Sequence, residues 1–530
     1  MIGLELVVIL GAVILACGVL ARRTGVAGPV LLLVAGIALG FAPALRDVHL
    51  PPELMLLVFL PLLLYWEALT SSLREIRATF RGVVLTSTLL VGLTAGAVAV
   101  TAHALGLPWG PAWVLGAALA PTDATAVGAL ARALPRRTMT VLRAEGLVND
   151  GTALVIYGVA VGVTVGEETL TAGHVAGLFA VSYLGGIAIG LATAAAAGFA
   201  RQRIHDPVLS NVLTLLLPFT AYLLAELIEA SGVLAVVVAG LVMSQLGPRL
   251  GSAAIRQQST PFWTLTTYLV NAALFVLVGI EVQSAVRGLT STDLLTAAIG
   301  VVAVYLVLVA VRYTFLVASA YTIRLLDRRP SQRTRRVSNR ARVVSTMAGF
   351  RGAVSLAVAL SIPTTLASGA TFPDRDLIVF ITVGVVTATL VIQGLLLGPT
   401  VRWARLPDDD GVDQERQLAE VTATEEALAA LDEIASDLGT DPAVVDRLRG
   451  EYEEHLLVLR SRAGAPETPA SAARLDEEYT RLRLALLARK RDVVIRLRDN
   501  RDIDDTVLRQ VQARLDVEEL RLGPLPTDRD

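Results

Sequence analysis

The chain has 530 residues, 54% of them apolar and only 18% charged, with a formal net charge of −2 and a mean hydropathy of +0.61. A soluble domain is about a quarter charged, and here the Asp, Glu and Arg concentrate beyond residue 408. This excludes one ordinary globular enzyme, a disordered chain and a nucleic-acid binder with a net basic face.

A bilayer core about 30 Å thick needs roughly 20 apolar residues in a helix. Thirteen stretches qualify: 2–20, 26–42, 52–70, 82–104, 111–131, 141–165, 174–199, 208–229, 232–247, 262–284, 294–319, 342–362 and 377–400. Arg22 and Arg23 follow the first stretch rather than precede it, so it reads as a span and not a signal peptide. Arginine gathers in cytoplasmic loops. The loops after odd-numbered spans 1 to 11, together with the first residues of the spans that follow them, carry 21 arginines, whereas the alternate loops carry only Arg46, Arg287 and Arg375. That alternation puts the N-terminus outside and the C-terminus inside. The expected organisation is a transmembrane domain over 1–406 and a cytoplasmic helical domain over 407–530.

An odd number of spans lets spans 1–6 and 8–13 form two inverted six-helix repeats joined by span 7, a common transporter plan with its site on interrupted helices. Spans 5 and 12 correspond. Pro121 lies in the first, and Gly349 and Gly352 flank Arg351 in the second.

Ionisable groups at membrane depth are costly and mark sites. Asp123 follows Pro121 and Thr122; Glu145, Asn149 and Asp150 share span 6; Arg351 stands in span 12; Glu67 sits in the cytoplasmic half of span 3. Pro121 frees backbone carbonyls, and with Thr122 and Asp123 they form a hard-oxygen site suited to an alkali cation or a proton. Glu145 and Asp150 are five residues apart, about 140° around the helix. Asp150 then faces Asp123 while Glu145 points elsewhere. Arg351 needs an anion, and the assignment is Glu145, because an Asp150 locked to a guanidinium could not bind a cation. No second arginine is expected among the buried acids. Cys17 is the only cysteine, so neither a disulfide nor a cysteine metal site is expected. No cofactor is expected.

Pro121-Thr122-Asp123, Glu145 with Asn149-Asp150-Gly151, Phe275-Val276-Leu277-Val278-Gly279-Ile280-Glu281 and Gly349-Phe350-Arg351-Gly352-Ala353-Val354-Ser355-Leu356 together resemble the sodium/proton antiporters of the monovalent cation:proton antiporter superfamily, in the branch related to sodium/proton exchangers. The resemblance covers the whole membrane region. It implies an all-helical fold of thirteen spans, with a dimerisation domain and a core domain whose broken spans 5 and 12 cross at the ion site. It also implies elevator-type alternating access and a second copy of the chain as partner. By matching positions, Asp150 is the carboxylate that binds sodium or a proton, Asp123 and Thr122 share the ion, Glu145 pairs with Arg351, and Glu67 lines the cytoplasmic ion path. The Asn149-Asp150 pair implies electroneutral exchange of one cation for one proton across the plasma membrane, serving pH and sodium homeostasis. Gly146 and Ala124 stand where many relatives carry Ser and Pro. Backbone oxygen or water then completes the ion shell, and lithium and potassium stand beside sodium as candidates.

Beyond Pro407, helical periodicity covers 413–438, 441–463, 468–499 and 503–521, with Leu475, Tyr479, Leu482, Leu486 and Val493 in one series. Regulation, dimer contact and partner binding are the alternatives for this region. The rival readings of the whole chain are an intramembrane aspartyl enzyme, which lacks its Gly-x-Gly-Asp motif, and a passive cation channel.

Overall fold

The computed structural model describes residues 2–42, 55–123, 136–166, 172–250, 253–287, 291–326, 338–406, 411–462, 470–500 and 505–522. Two compact units divide at Pro407 and Asp408.

In the first unit every described element is helical apart from an isolated bridge between Thr365 and Thr371. The helices are α1 (Ile2–Thr24), α2 (Gly28–Gly40), α3 (Leu60–Thr70, entered through a π-helical turn), α4 (Leu73–Val84), α5 (Val91–Ala104), α6 (Trp109–Leu119) and α7 (Arg136–Val165). There follow α8 (Ala172–Arg201), α9 (Pro207–Glu226), α10 (Gly232–Leu250), α11 (Ala253–Arg287) and α12 (Ser291–Leu326). The last four are α13 (Asn339–Met347), α14 (Ala353–Leu360), α15 (Arg375–Ala388) and α16 (Gly394–Ala404). A π-helical turn at Leu85–Leu90 joins α4 to α5, and another at Thr389–Gln393 joins α15 to α16.

Among the described residues, eight helical stretches are long and apolar enough to cross a membrane, and Gly28–Gly40, Leu57–Thr70 and Gly232–Gly247 are shorter apolar helices. Several helices outrun the apolar windows read from the sequence. α12 has 36 residues, about 54 Å at 1.5 Å per residue, against a window of 294–319. An apolar window measures the part facing lipid tails, while backbone pairing carries the helix on into the polar interface.

The two interruptions have local causes. α6 stops at Leu119, ahead of Pro121, whose ring and missing N–H end an α-helix. The expected second part of that span, 124–131, lies outside the described residues. The other break separates α13 from α14. Ala348 and Gly349 close the α13 end onto Val344 and Thr346 carbonyls, and Gly352 is extended just before α14.

The three largest apolar clusters among the described residues pack around these breaks. One joins α1, α2 and α11 to α13–α16; there Gly279 of α11 packs so closely on α2 that a Cβ would lie 2.5 Å from the Leu33 carbonyl oxygen. Another joins α3, α8, α9, α10 and α11 around the buried Tyr65 and Trp263, whose ring centroids are 5.6 Å apart. The last joins α5, α6, α12 and α15.

The second unit holds α17 (Gly411–Ala429), α18 (Leu431–Leu438), α19 (Pro442–Arg462), α20 (Ala470–Asp499) and α21 (Asp505–Leu522). Gly439 ends α18 with φ 62°, a left-handed stop that glycine adopts without strain. Asp441 Oδ1 accepts from the Ala443 N–H at 2.8 Å, capping α19 ahead of Pro442. α20 packs on both α21 and α19, and Leu487, Leu508 and Leu515 are buried.

Candidate functional site

The two interrupted segments meet. The Asp123 N–H donates to the Phe350 carbonyl oxygen at 2.9 Å, so a donor left free by one broken helix satisfies an acceptor left free by the other. The Asp123 carboxylate lies against Gly352, where a Cβ would stand 1.6 Å from Oδ2. No side chain larger than hydrogen fits there. The acid thereby sits at the N-terminal end of α14, where unpaired N–H groups and the helix dipole favour negative charge.

α7 supplies the opposite wall. Glu145, Asn149 and Asp150 are all buried. The Thr122 hydroxyl donates to Glu145 Oε1 at 3.0 Å. Asn149 Nδ2 donates to that same hydroxyl oxygen at 2.8 Å and to the Thr122 carbonyl oxygen at 3.2 Å. Thr122 therefore bridges two residues one turn apart on α7 and ties the break to that helix. Asn149 Oδ1 is buried without a hydrogen-bond partner. An orphaned buried acceptor is costly in a resting protein, and it suits a cation. α7 is itself held from behind: Ser87 Oγ donates to the Glu145 carbonyl oxygen at 3.2 Å, and Thr152 Oγ1 to the Ser87 carbonyl oxygen at 2.7 Å.

Glu145, expected to point away from the first break, instead accepts from Thr122 beside Asp123. Asp150 lies within electrostatic reach of Asp123 and Glu67, and Glu67 of Asp123 and Arg143. Three acids drawn from α3, the first break and α7 thus share one neighbourhood. Among the described residues no three Asp, Glu, His or Cys side chains converge as a metal centre. Any cation here would rely on mixed carboxylate, amide and backbone oxygens.

The expected pairing of Glu145 with Arg351 is corrected. Glu145 pairs with Arg312 of α12, Nη1 to Oε1 at 2.5 Å and Nη2 to Oε2 at 3.3 Å. This two-pronged contact matches guanidinium and carboxylate geometry. Arg312 Nε also donates to the Ser345 carbonyl oxygen at 3.1 Å. Gly349 makes room for it, since a Cβ there would lie 2.7 Å from Arg312 Cδ. Arg351 has other work. Its Nη1 donates to the Gly349 carbonyl oxygen at 2.6 Å and its Nε to the Leu119 carbonyl oxygen at 3.1 Å. It caps acceptors that both breaks expose, which a buried guanidinium with five donors does well. The sequence did carry a signal for Arg312: it is the only charged residue of the apolar helix Leu294–Ile323.

The chain matches the family model described as sodium/hydrogen exchanger, transmembrane, over residues 9–403. It is 43% identical over 522 residues to an uncharacterized Na(+)/H(+) exchanger of Mycobacterium tuberculosis strain H37Rv, covering 98% of this chain and 96% of that one. It is 31% identical over 373 residues to the low-affinity Na(+)/H(+) antiporter NhaS1 of a Synechocystis species, covering 69% of this chain and 67% of that one. The solved sodium proton antiporter MjNhaP1 of Methanocaldococcus jannaschii superposes with a TM-score of 0.57 at 18% identity, covering 76% of this chain and 99% of that one. The chain belongs to the sodium/hydrogen exchanger family, and it is a multi-pass membrane transporter of the sodium/proton antiporter class rather than an enzyme.

Proposed function

We propose that this transporter exchanges one monovalent cation, sodium first among candidates, for one proton across the plasma membrane, by competition at Asp150. The observation that carries the proposal is a buried carboxylate beside the meeting point of two helix breaks. Asp123 and the orphaned Asn149 Oδ1 belong to the same crossing. A bare carboxylate there is the costly state. Asp150 therefore carries either a proton or a cation when the site changes sides, and leak is suppressed.

Asp123, the Thr122 carbonyl and Asn149 Oδ1 would share the cation. The Thr122 hydroxyl already serves Glu145 and Asn149, so its contribution is first to geometry. Glu67 would line the cytoplasmic approach. Gly146 offers no hydroxyl, which leaves lithium and potassium as alternative cargo. Asn149 adds no charge beside Asp150, which supports electroneutral stoichiometry.

We read the first unit as thirteen spans in two inverted halves, with α6 and its continuation crossing α13–α14. The N-terminus is outside and the second unit cytoplasmic, as the arginine distribution supports. Elevator-type movement and a homodimer follow from the family resemblance.

The deciding experiment is cation-dependent dequenching of a pH dye in proteoliposomes, run with sodium, lithium and potassium while membrane current is recorded. Proton movement on adding sodium with no current is the expected result. Current that scales with voltage would instead indicate a channel or an electrogenic exchanger.

A further inference from the structure

Ser355 stands in the first turn of α14 and is 1% exposed, and its hydroxyl has no hydrogen-bond partner. Buried Thr346 and Thr382 show the ordinary arrangement. Each hydroxyl donates to the carbonyl four residues back, at 2.8 and 2.9 Å. Ser355 has no such recourse, because the residue four back, Arg351, lies in the break ahead of the helix. A buried hydroxyl left without a partner is costly and calls for a reason.

Its location supplies one. Val358 and Ala359 pack on Ala118 of α6, and Gly352 lies against the Asp123 carboxylate. As the numbers rise from 118 to 123 through the first break, they fall from 359 to 352 along the second, so the two segments run antiparallel. Residues three and four apart share a helix face. Ser355 therefore lies on the face that carries Val358 and Ala359, one turn nearer the break. That puts it between the two contacts, at the level of Pro121 and Thr122. α7 reaches the same place. Asn149 donates to the Thr122 carbonyl oxygen, and its own Oδ1 is likewise without a partner.

The cation shell described above holds carboxylate, carbonyl and amide oxygens. The Thr122 hydroxyl is engaged by Glu145 and Asn149, and Gly146 has none to offer. Ser355 carries a hydroxyl that is still free, and hydroxyl lone pairs suit a hard cation. We propose that the Ser355 hydroxyl oxygen is a direct ligand of the transported monovalent cation, contributed to the site by the second break. The inference rests on the reading of cation and proton exchange at Asp150. A neutral ligand adds affinity for the cation without adding charge. A proton on a carboxylate needs no further oxygen, so Ser355 sets the affinity of one cargo and not of the other.

The test uses the full-length protein, purified for thermal unfolding and reconstituted in proteoliposomes for exchange. Ser355→Ala is expected to melt at or slightly above the parental temperature without cation, because the hydroxyl it removes has no partner. The rise in melting temperature on adding sodium should shrink. The sodium concentration for half-maximal exchange should increase about tenfold, the loss of one contact to a charged group, and by the same factor at each pH. Ser355→Cys fills the same space with a sulfur that alkali cations bind poorly, and should match Ser355→Ala. Ser355→Thr, which keeps the hydroxyl, should restore the sodium response. A parental half-maximal sodium concentration in Ser355→Ala and Ser355→Cys would overturn the inference. So would a lower melting temperature without cation and a parental sodium response, which would mark the hydroxyl as structural. Asp150→Asn run in parallel separates the two claims. If that variant is inactive while Ser355→Ala behaves as the parent, only the role of Ser355 falls. If that variant still exchanges sodium for protons, the reading at Asp150 falls and this inference with it.

Discussion

Arg312 of α12 closes on Glu145 of α7 in a two-pronged ion pair, 2.5 Å at its shorter contact, and both side chains are sealed from solvent. The pair ties the helix that bears Asp150 to a helix 167 positions further along the chain. Its partners are Thr122 on one side and the Ser345 carbonyl on the other. Losing either half leaves a buried charge uncompensated.

Arg312→Met is therefore expected to destabilise the protein by about 3–5 kcal/mol, the usual cost of breaking a buried pair from one side. Glu145→Gln should cost a comparable amount. The double variant should recover much of the loss. Thermal unfolding in detergent checks all three. Arg351→Met, which leaves this pair intact, should show no such recovery when combined with Glu145→Gln.

Asp150→Asn should abolish cation-driven proton movement while leaving the melting temperature near that of the parent. The amide keeps the volume and removes the charge that both cargoes need. Exchange surviving in proteoliposomes of this variant would remove Asp150 from the mechanism.

Competition fixes the direction of the pH response. Below the pKa of Asp150 the carboxyl is protonated, and sodium must displace that proton; above it the carboxylate is already free. The sodium concentration for half-maximal exchange should rise as pH falls, approaching about tenfold per unit at the acid end. Initial rates over a pH series test this, and a flat profile would contradict competition at one group.

Gly352→Ala should suppress exchange without touching a charge. Its methyl would occupy the position of the Asp123 carboxylate, so the first break must shift. Overpacking of this kind costs about 1–3 kcal/mol in stability. The decisive readout is activity: exchange should fall far more than the folded fraction. A variant with parental kinetics would show that the contact between Asp123 and Gly352 is dispensable.

The sequence made the helical architecture and the candidate site's buried charges legible because a membrane restricts the possibilities severely. In lipid the backbone must pair with itself, so an apolar stretch becomes a helix, and α1, α5, α7, α8 and α9 fall on expected spans. A charge at depth demands a reason, which exposed Asp123, Glu145, Asp150 and Arg351. Helix ends were less legible: α11 and α12 run well past their apolar windows, because chemistry at the interface no longer distinguishes helix from loop. Arg312 was legible in principle, as a lone charge in an apolar helix, yet nothing in its neighbours along the chain says which acid it meets.

That choice belongs to the tertiary structure. Spacing along α7 dictates that Glu145 and Asp150 face different ways, and chemistry dictates that Glu145 needs a cation. Which guanidinium arrives depends on where backbone carbonyls have been exposed. The two helix breaks present carbonyls of Leu119 and Gly349, Arg351 is spent on them, and Arg312 is left within reach of the glutamate. Residue type and periodicity are properties of the chain in one dimension. The allocation of a scarce charge among competing buried acceptors is settled only when helices distant in sequence pack together.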